Sequence, residues 1–146
     1  MRATRIAVKA DRLVCDIQLS SDCSRMSSPS FIALLLRCHP CLPHHACKNG
    51  QGATFASVME RTSLIHVLEH VAIDCMVQGD SCSNTLFRGN SQWLDRNRGT
   101  GRVELSFRDD IAALHAVKEA LDHMNKAIET MKALETMNAG TAGTAI

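Results

Sequence analysis

The sequence is poor in aromatic residues and contains no long apolar segment. One Trp, four Phe and no Tyr among 146 residues leave too few aromatic surfaces for stacking the bases of a nucleic acid. Sixteen Lys and Arg against fifteen Asp and Glu give a net charge of +1, which creates no strong field for an anionic partner. No apolar run approaches the ~18 residues of a membrane span. We therefore expect neither nucleic acid nor membrane as a partner.

The N-terminal segment also lacks the pattern of a secretory signal. Charged residues recur in MRATRIAVKADRLVCDIQL before an apolar core could form. The seven Cys, an odd number, are then expected to be reduced thiols in a cytoplasmic protein. A chain of this length can bury a core without disulfides or a structural metal. We expect one domain over residues 1–137 and a flexible tail over residues 138–146, NAGTAGTAI.

Hydrophobic periodicity predicts the order ββααββα, an α+β domain in which a small antiparallel or mixed sheet is covered by helices. The predicted strands are residues 5–10, 12–19, 83–89 and 101–107, with a polar loop over residues 90–100. The predicted helices are the short FIALLLRC segment, residues 53–78 in one piece or in two that break near Arg61–Ser63, and a long C-terminal helix that begins at Asp109–Asp110.

The stretch IHVLEHVAID, residues 65–74, is the main candidate for chemistry. At 100° per residue, Leu64, Leu68, Val71 and Cys75 share one face of a helix, and His66, Glu69, His70 and Ile73 share the opposite face. Two His at i and i+4 can converge on one Zn²⁺, and a Glu between them can act as a general base. The alternative is an ordinary solvated helix face, because short H-x-x-E-H matches also arise by chance.

A second group of metal-binding residue types precedes this helix. Cys38, Cys41, His44, His45 and Cys47 combine a C-x-x-C with nearby His and Cys, which can hold zinc. The loop between its halves is shorter than in most zinc fingers, so buried thiols and loop histidines are the favoured interpretation. His115 and His123, on the long helix, are expected to be surface or hydrogen-bonded core residues.

The segment from about Leu42 to Leu121 resembles the N-terminal domain of cyanophycin synthetase. The resemblance rests on HACKNGQGATF, RTSLIHVLEHVAIDCMVQ and SFRDDIAALHAVKEAL. The matching positions are His45, Cys47, Gly50, Phe55, Thr62, Leu64, His66, Val67, Glu69, His70, Val71, Ala72, Arg108, Leu114, Ala116 and Lys118. The resemblance implies a peptide or cyanophycin-like polymer, an aspartate backbone with arginine side chains, as the partner, with His45, Cys47 and Arg108 at the substrate.

Three departures from the family pattern limit this resemblance. The ATP-grasp and Mur-ligase-like domains that make the polymer are not in this sequence, so we expect a stand-alone homologue without synthetase activity. The Gly- and Arg-containing loop after the H-x-x-E-H helix is replaced by DSCSNTLFRGNSQW. Ser106 stands where the family often has a Glu that would be a third metal ligand.

Two functional hypotheses follow. The first is a zinc-dependent hydrolase in which His66 and His70 bind the metal, Glu69 is the base, and Glu104 or an acid such as Asp109 completes the ligand set. Glu104 lies two residues before Ser106, on the same face of a strand. The second hypothesis is a non-catalytic binding or assembly module with a decayed site, which the Ser at position 106 favours.

The long helix also predicts assembly. Leu114, Val117, Leu121, Met124, Ile128 and Met131 recur with a heptad-like spacing. The second half of this stripe is expected to leave Met124, Ile128 and Met131 partly in water, which favours a homodimer through the C-terminal helix. The alternative is that the helix folds back along its own domain.

Overall fold

The computed structural model describes residues 1–82 and 84–141. Four antiparallel strands form one sheet in the order β1-β2-β4-β3, with β1 at Arg2–Val8, β2 at Arg12–Gln18, β3 at Gly89–Asp95 and β4 at Thr100–Ser106. Three helices cover it: α1 at Pro29–Leu35, α2 at Leu64–Gly79 and α3 at Asp110–Thr141. This confirms the predicted α+β class and the long C-terminal helix.

One face of the sheet carries the core. Along β2, Leu13, Cys15 and Ile17 are buried, and their neighbours on the other face are not. This period of two is typical of a sheet that is covered on one side. Helix α2 packs against β3 and β4 on the covered side, and α3 packs against α1, α2 and β2. At Gly101 an added Cβ would lie 2.5 Å from Ile65 Cγ1, so the absence of a side chain lets α2 approach β4.

Serine caps define where the first two helices begin. The Ser28 hydroxyl accepts a hydrogen bond from Phe31 N, with Pro29 in the first turn, and the Ser63 hydroxyl accepts one from His66 N. The second cap confirms the predicted break near Arg61–Ser63, but the piece before the break is not an α-helix. Thr62 is extended, and the residues before it form two 3₁₀ turns, Phe55–Ser57 and Met59–Arg61.

Strand β3 lies later in the chain than the sequence analysis predicted. Hydrophobicity favoured residues 83–89, yet the strand begins at Gly89 and uses the segment predicted as a polar loop. The tight connection to β4 explains the shift, because Asp95 pairs with Thr100 and Gly99 adopts a positive φ of 71° in between. A glycine suits that conformation, and β3 is an edge strand that tolerates polar residues.

Helix α3 folds back along its own domain. Met124 is fully buried, and Ile128 and Met131 are partly buried against the same core. The expectation that water would reach Met124 is therefore wrong, because this side chain belongs to the core cluster of the domain. The homodimer itself stays a prediction.

The end of α3 overlaps the segment assigned to a tail, residues 138–146. The helix continues to Thr141, and residues 142–146 lie outside the described part of the chain. Within that part, every helix is too short or too polar to cross a membrane.

Candidate metal centre

Helix α2 presents its H-x-x-E-H residues to a cleft, and its apolar face to the core. Leu64, Leu68, Val71 and Cys75 are buried, as their spacing predicted. His66, Glu69 and His70 line a cleft of about 1650 Å³ between α2, β3 and the loop after α1. Glu69 and His70 are nevertheless 7% and 3% exposed, so the cleft floor is largely shielded from water.

Cys47 joins the two histidines. One donor atom from each of Cys47, His66 and His70 lies within 4.8 Å of the others, and Cys47 Sγ is 3.4 Å from His66 Nε2. A short bridge between Ala46 and Thr54 and a 2.8 Å hydrogen bond from Phe55 N to His45 O hold the loop that carries this thiol. The resemblance implies a substrate contact for Cys47, and the sequence also includes it in a possible zinc group with Cys38 and Cys41. In the structure Cys47 lies among potential metal ligands, but together with His66 and His70.

The phenyl ring of Phe55 fixes both imidazoles. It stacks on His70 with ring centroids 3.9 Å apart and meets His66 edge-on at 5.2 Å. Burial lowers the pKa of His66, and burial together with the charges of His66 and His45 lowers the pKa of His70 to about 3. Both rings are therefore neutral near pH 7, which is the form that binds a metal.

Hydrogen bonds select which nitrogen of each ring carries the proton. Nδ1 of His66 lies 2.9 Å from Thr62 Oγ1, and donation to this hydroxyl leaves the Nε2 lone pair pointing towards Cys47. Nδ1 of His70 lies 3.3 Å from His45 Nδ1, and His45 Nε2 lies 3.2 Å from Asp74 Oδ1. Because the Asp74 carboxylate accepts from His45, His45 Nδ1 accepts from His70, whose Nε2 lone pair is left free.

Asp74 is the centre of this buried network. It also lies 2.7 Å from His39 Nδ1 and accepts a hydrogen bond from Gln78. Burial by itself raises the pKa of Asp74, but the hydrogen bonds from His39 and His45 outweigh burial and lower it. A carboxylate behind a metal-binding imidazole is a common arrangement that orients the ligand.

Glu69 lies beside β3 in a tight space. Burial raises the pKa of Glu69, and a hydrogen bond from Ser91 offsets part of this rise. Gly89 leaves room for the side chain, since a Cβ there would lie 2.6 Å from both Glu69 Cγ and Oε1. The carboxyl group is therefore held in position and has an increased affinity for a proton, which suits a general base.

The structure does not bring three other candidates to this cluster. Glu104 faces the opposite side of the sheet and pairs with Arg12 at 3.3 Å, because position 104 alternates with the buried Val103 and Leu105. Asp109 caps α3 by accepting from Ala112 N. Arg108 hydrogen-bonds Asp80 and Thr85 and does not line the cleft. The expected third ligand Glu104 therefore lies away from the two histidines, and the role of Arg108 at the substrate stays a prediction.

The early Cys and His residues do not form one group. Cys38 and Cys41 are exposed, and within the described part of the chain neither belongs to a cluster of three metal-binding donors. His45 turns to Asp74 and His70, whereas Cys47 turns to His66. The loop therefore contributes to the cleft instead of enclosing a metal of its own.

Comparison with known families identifies the family of this chain. A model described as the cyanophycin synthase-like N-terminal domain matches residues 12–129, most of the chain. The chain belongs to this family. The match runs from β2 through most of α3. Cys47, His66 and His70 all lie within the matched residues. No curated protein matches the chain.

Proposed function

We propose that this protein is a zinc-dependent hydrolase that cleaves cyanophycin-like polymers of Asp and Arg, or related peptides. The observation that carries the proposal is the convergence of Cys47, His66 and His70 within 4.8 Å on the cleft that Glu69 also lines. The resemblance implied a two-histidine site with an acidic third ligand. With the Cys47 thiolate as the third ligand, the site does not need the Glu that Ser106 replaces.

The donor set fits zinc. One thiolate and two imidazoles are ligands that zinc prefers, and three protein ligands leave a fourth position for water or substrate, as in catalytic sites. A zinc ion there supplies Lewis-acid chemistry, which polarises an amide carbonyl and increases the acidity of water. Hard cations such as Mg²⁺ and Ca²⁺ prefer oxygen ligands and do not suit this set.

Glu69 moves the proton. In hydrolysis of an amide, its carboxylate takes a proton from the attacking water and then donates that proton to the departing amine. The shielded position of the carboxyl group strengthens its interaction with the reacting atoms. Asp74 and His45 act through His70. Their hydrogen bonds hold His70 in the tautomer whose Nε2 lone pair can bind the metal.

The charges around the cleft suit a substrate with carboxylates. Lys48, Arg61, Arg88 and Arg96 line it, whereas its acids are Glu69 and Asp74 on the floor. An Asp–Arg polymer has carboxylates that these cations can bind. The basic residues come from several elements, so an extended chain can contact them along the cleft.

Metal dependence of hydrolysis tests the proposal. We expect the purified chain to release soluble fragments from an Asp–Arg polymer, to lose this activity after chelation, and to recover it with Zn²⁺ and not with Mg²⁺. Hydrolysis that is unaffected by complete removal of metal contradicts the proposal. A chain that binds the polymer with or without zinc and never cleaves it supports the binding-module hypothesis instead.

A further inference from the structure

A second group of donor atoms lies outside the centre that contains Glu69. His39 follows α1, Cys75 is on α2 and His123 is on α3, and one donor atom from each lies within 4.8 Å of the others. His39 Nε2 is 2.8 Å from His123 Nδ1. His39 is 1% exposed and Cys75 is 6% exposed. Three elements that are distant in sequence thus converge on one buried point.

The histidine at the centre of this group is already oriented for a metal. His39 Nδ1 lies 2.7 Å from Asp74 Oδ2, and donation to this carboxylate leaves Nε2 with its lone pair directed at His123. Metal-binding histidines usually donate their other N–H to a carboxylate or carbonyl in this way.

We propose that His39, Cys75 and His123 form a second zinc site, separate from the Cys47, His66 and His70 centre. The proposal does not depend on hydrolysis. One thiolate and two imidazoles select zinc and similar borderline ions over Mg²⁺ and Ca²⁺. His123 is half-buried, which gives an ion a path of entry from solvent.

A carboxylate on α3 lies near this site. Glu119 is one helical turn before His123, and it is close enough for its charge to act on the Cys75 thiol. Its carboxylate or a water molecule completes a tetrahedral set. In the ion-free protein His39 and His123 share a hydrogen bond; the ion takes the place of the proton between them, and that proton moves to His123 Nε2. Burial and the charges of Glu119 and Asp74 raise the pKa of the Cys75 thiol, so Cys75 Sγ loses its proton to solvent only as the ion binds, and the charge of the ion stabilises the thiolate.

The position of the site indicates a structural role. An ion there links the loop after α1 to α2 and α3, and binding to the folded chain alone increases its stability. Asp74 contacts His39 with one oxygen and His45 with the other. The same carboxylate therefore orients a ligand of this site and, through His45, a ligand of the first.

Counting zinc in matched variants tests the proposal. After zinc loading and removal of loosely bound ions, we expect two equivalents in the wild type, one in His123→Gln and two in His115→Gln, a control on the exposed side of α3. The Cys47→Ser, His66→Ala double variant should keep one equivalent. His123→Gln keeps a side chain that can hydrogen-bond His39, and circular dichroism checks that it folds.

A stability measurement provides a second readout. Zinc should raise the Tm of the Cys47→Ser, His66→Ala variant and should leave the Tm of the same variant with His123→Gln unchanged. The proposal is overturned if His123→Gln binds as much zinc as the wild type, or if the double variant binds none. It is also overturned if zinc raises the Tm of both backgrounds equally.

Discussion

The sulfur of Cys47 lies 3.4 Å from Nε2 of His66, although 19 residues separate them in the chain. Zinc in proteins is bound by such thiolate and imidazole donors, so Cys47 is the third ligand that we propose in place of an acid on β4. The candidate centre is built from one helix and one loop, and the sheet contributes Gly89 and Ser91 beside the base.

Replacing this thiol should weaken zinc binding at the first centre. Mutating a residue that only hydrogen-bonds a metal ligand typically lowers the metal affinity by ~10–100-fold. Because Cys47 would itself be a ligand, we expect Cys47→Ser to lower the affinity for zinc by at least that factor. The affinity is measured by competition with a chromophoric chelator in the His123→Gln background, which removes the second proposed site. Glu104→Gln is the matched control and should bind zinc normally. Equal affinities for Cys47→Ser and Glu104→Gln would show that Cys47 is not a ligand.

The buried carboxylate of Asp74 should control the affinity of the same centre from a distance. An amide in Asp74→Asn cannot accept from both His39 and His45, so His70 loses the hydrogen bond that fixes its tautomer. We expect the zinc concentration for half-maximal hydrolysis to rise ~10–100-fold. Gln78→Ala, which removes one donor to Asp74 and leaves both histidines in place, should change this concentration much less. An unchanged zinc requirement in Asp74→Asn would rule out this positioning role.

Gly89 should be needed for catalysis and not for metal binding. A Cβ at position 89 would lie 2.6 Å from the Glu69 side chain, so Gly89→Ala displaces the base. We expect hydrolysis to fall by ~10²-fold, as for a misplacement of about 1 Å, with the zinc content unchanged. The control is Gly79→Ala, where an added Cβ meets nothing within 4 Å. If the two variants have the same kcat, Glu69 is not held by this contact.

Acid should destabilise the metal-free protein through His70. Its pKa is lowered from 6.5 to about 3 by burial and by the charges of His66 and His45, so the unfolded chain binds this proton first. Stability is therefore lost as pH falls from about 6.5 towards 3, with a limiting slope of about 1.4 kcal/mol per pH unit from this group. Urea unfolding at several pH values should give a smaller slope for His70→Gln. Parallel slopes would mean that His70 is protonated in the folded chain.

The helices, the family and the two histidines of the cluster could be predicted from the sequence, whereas the position of Cys47 beside them could not. Periodicity identified the buried face of α2 because Leu64, Leu68 and Val71 recur at helical spacing. It misplaced β3, since an edge strand that pairs through its backbone needs no apolar pattern, and GNSQWLD reads as a loop.

The residues that support the centre are separated in the chain. The spacing of Asp74 in the sequence indicated its position near the site, because it follows His70 by one helical turn on the same face of α2. No pattern in the sequence indicated the contacts of His39, since its partners Asp74 and His123 belong to two different helices. Cys47 was noted for its match to the family, but its contact with His66 depends on the course of an irregular loop. Tertiary contacts of this kind produce no periodic pattern in the sequence, so periodicity cannot predict them.

The most direct test of a zinc-dependent hydrolase compares the wild type with Glu69→Gln at equal zinc content. Both proteins should hold the same number of ions by elemental analysis, because Glu69 is not among the clustered donors. The account predicts that hydrolysis of an Asp–Arg polymer falls by ~10²–10⁴-fold in Glu69→Gln, the usual contribution of a general base. Equal rates of hydrolysis in the two zinc-loaded proteins would contradict it.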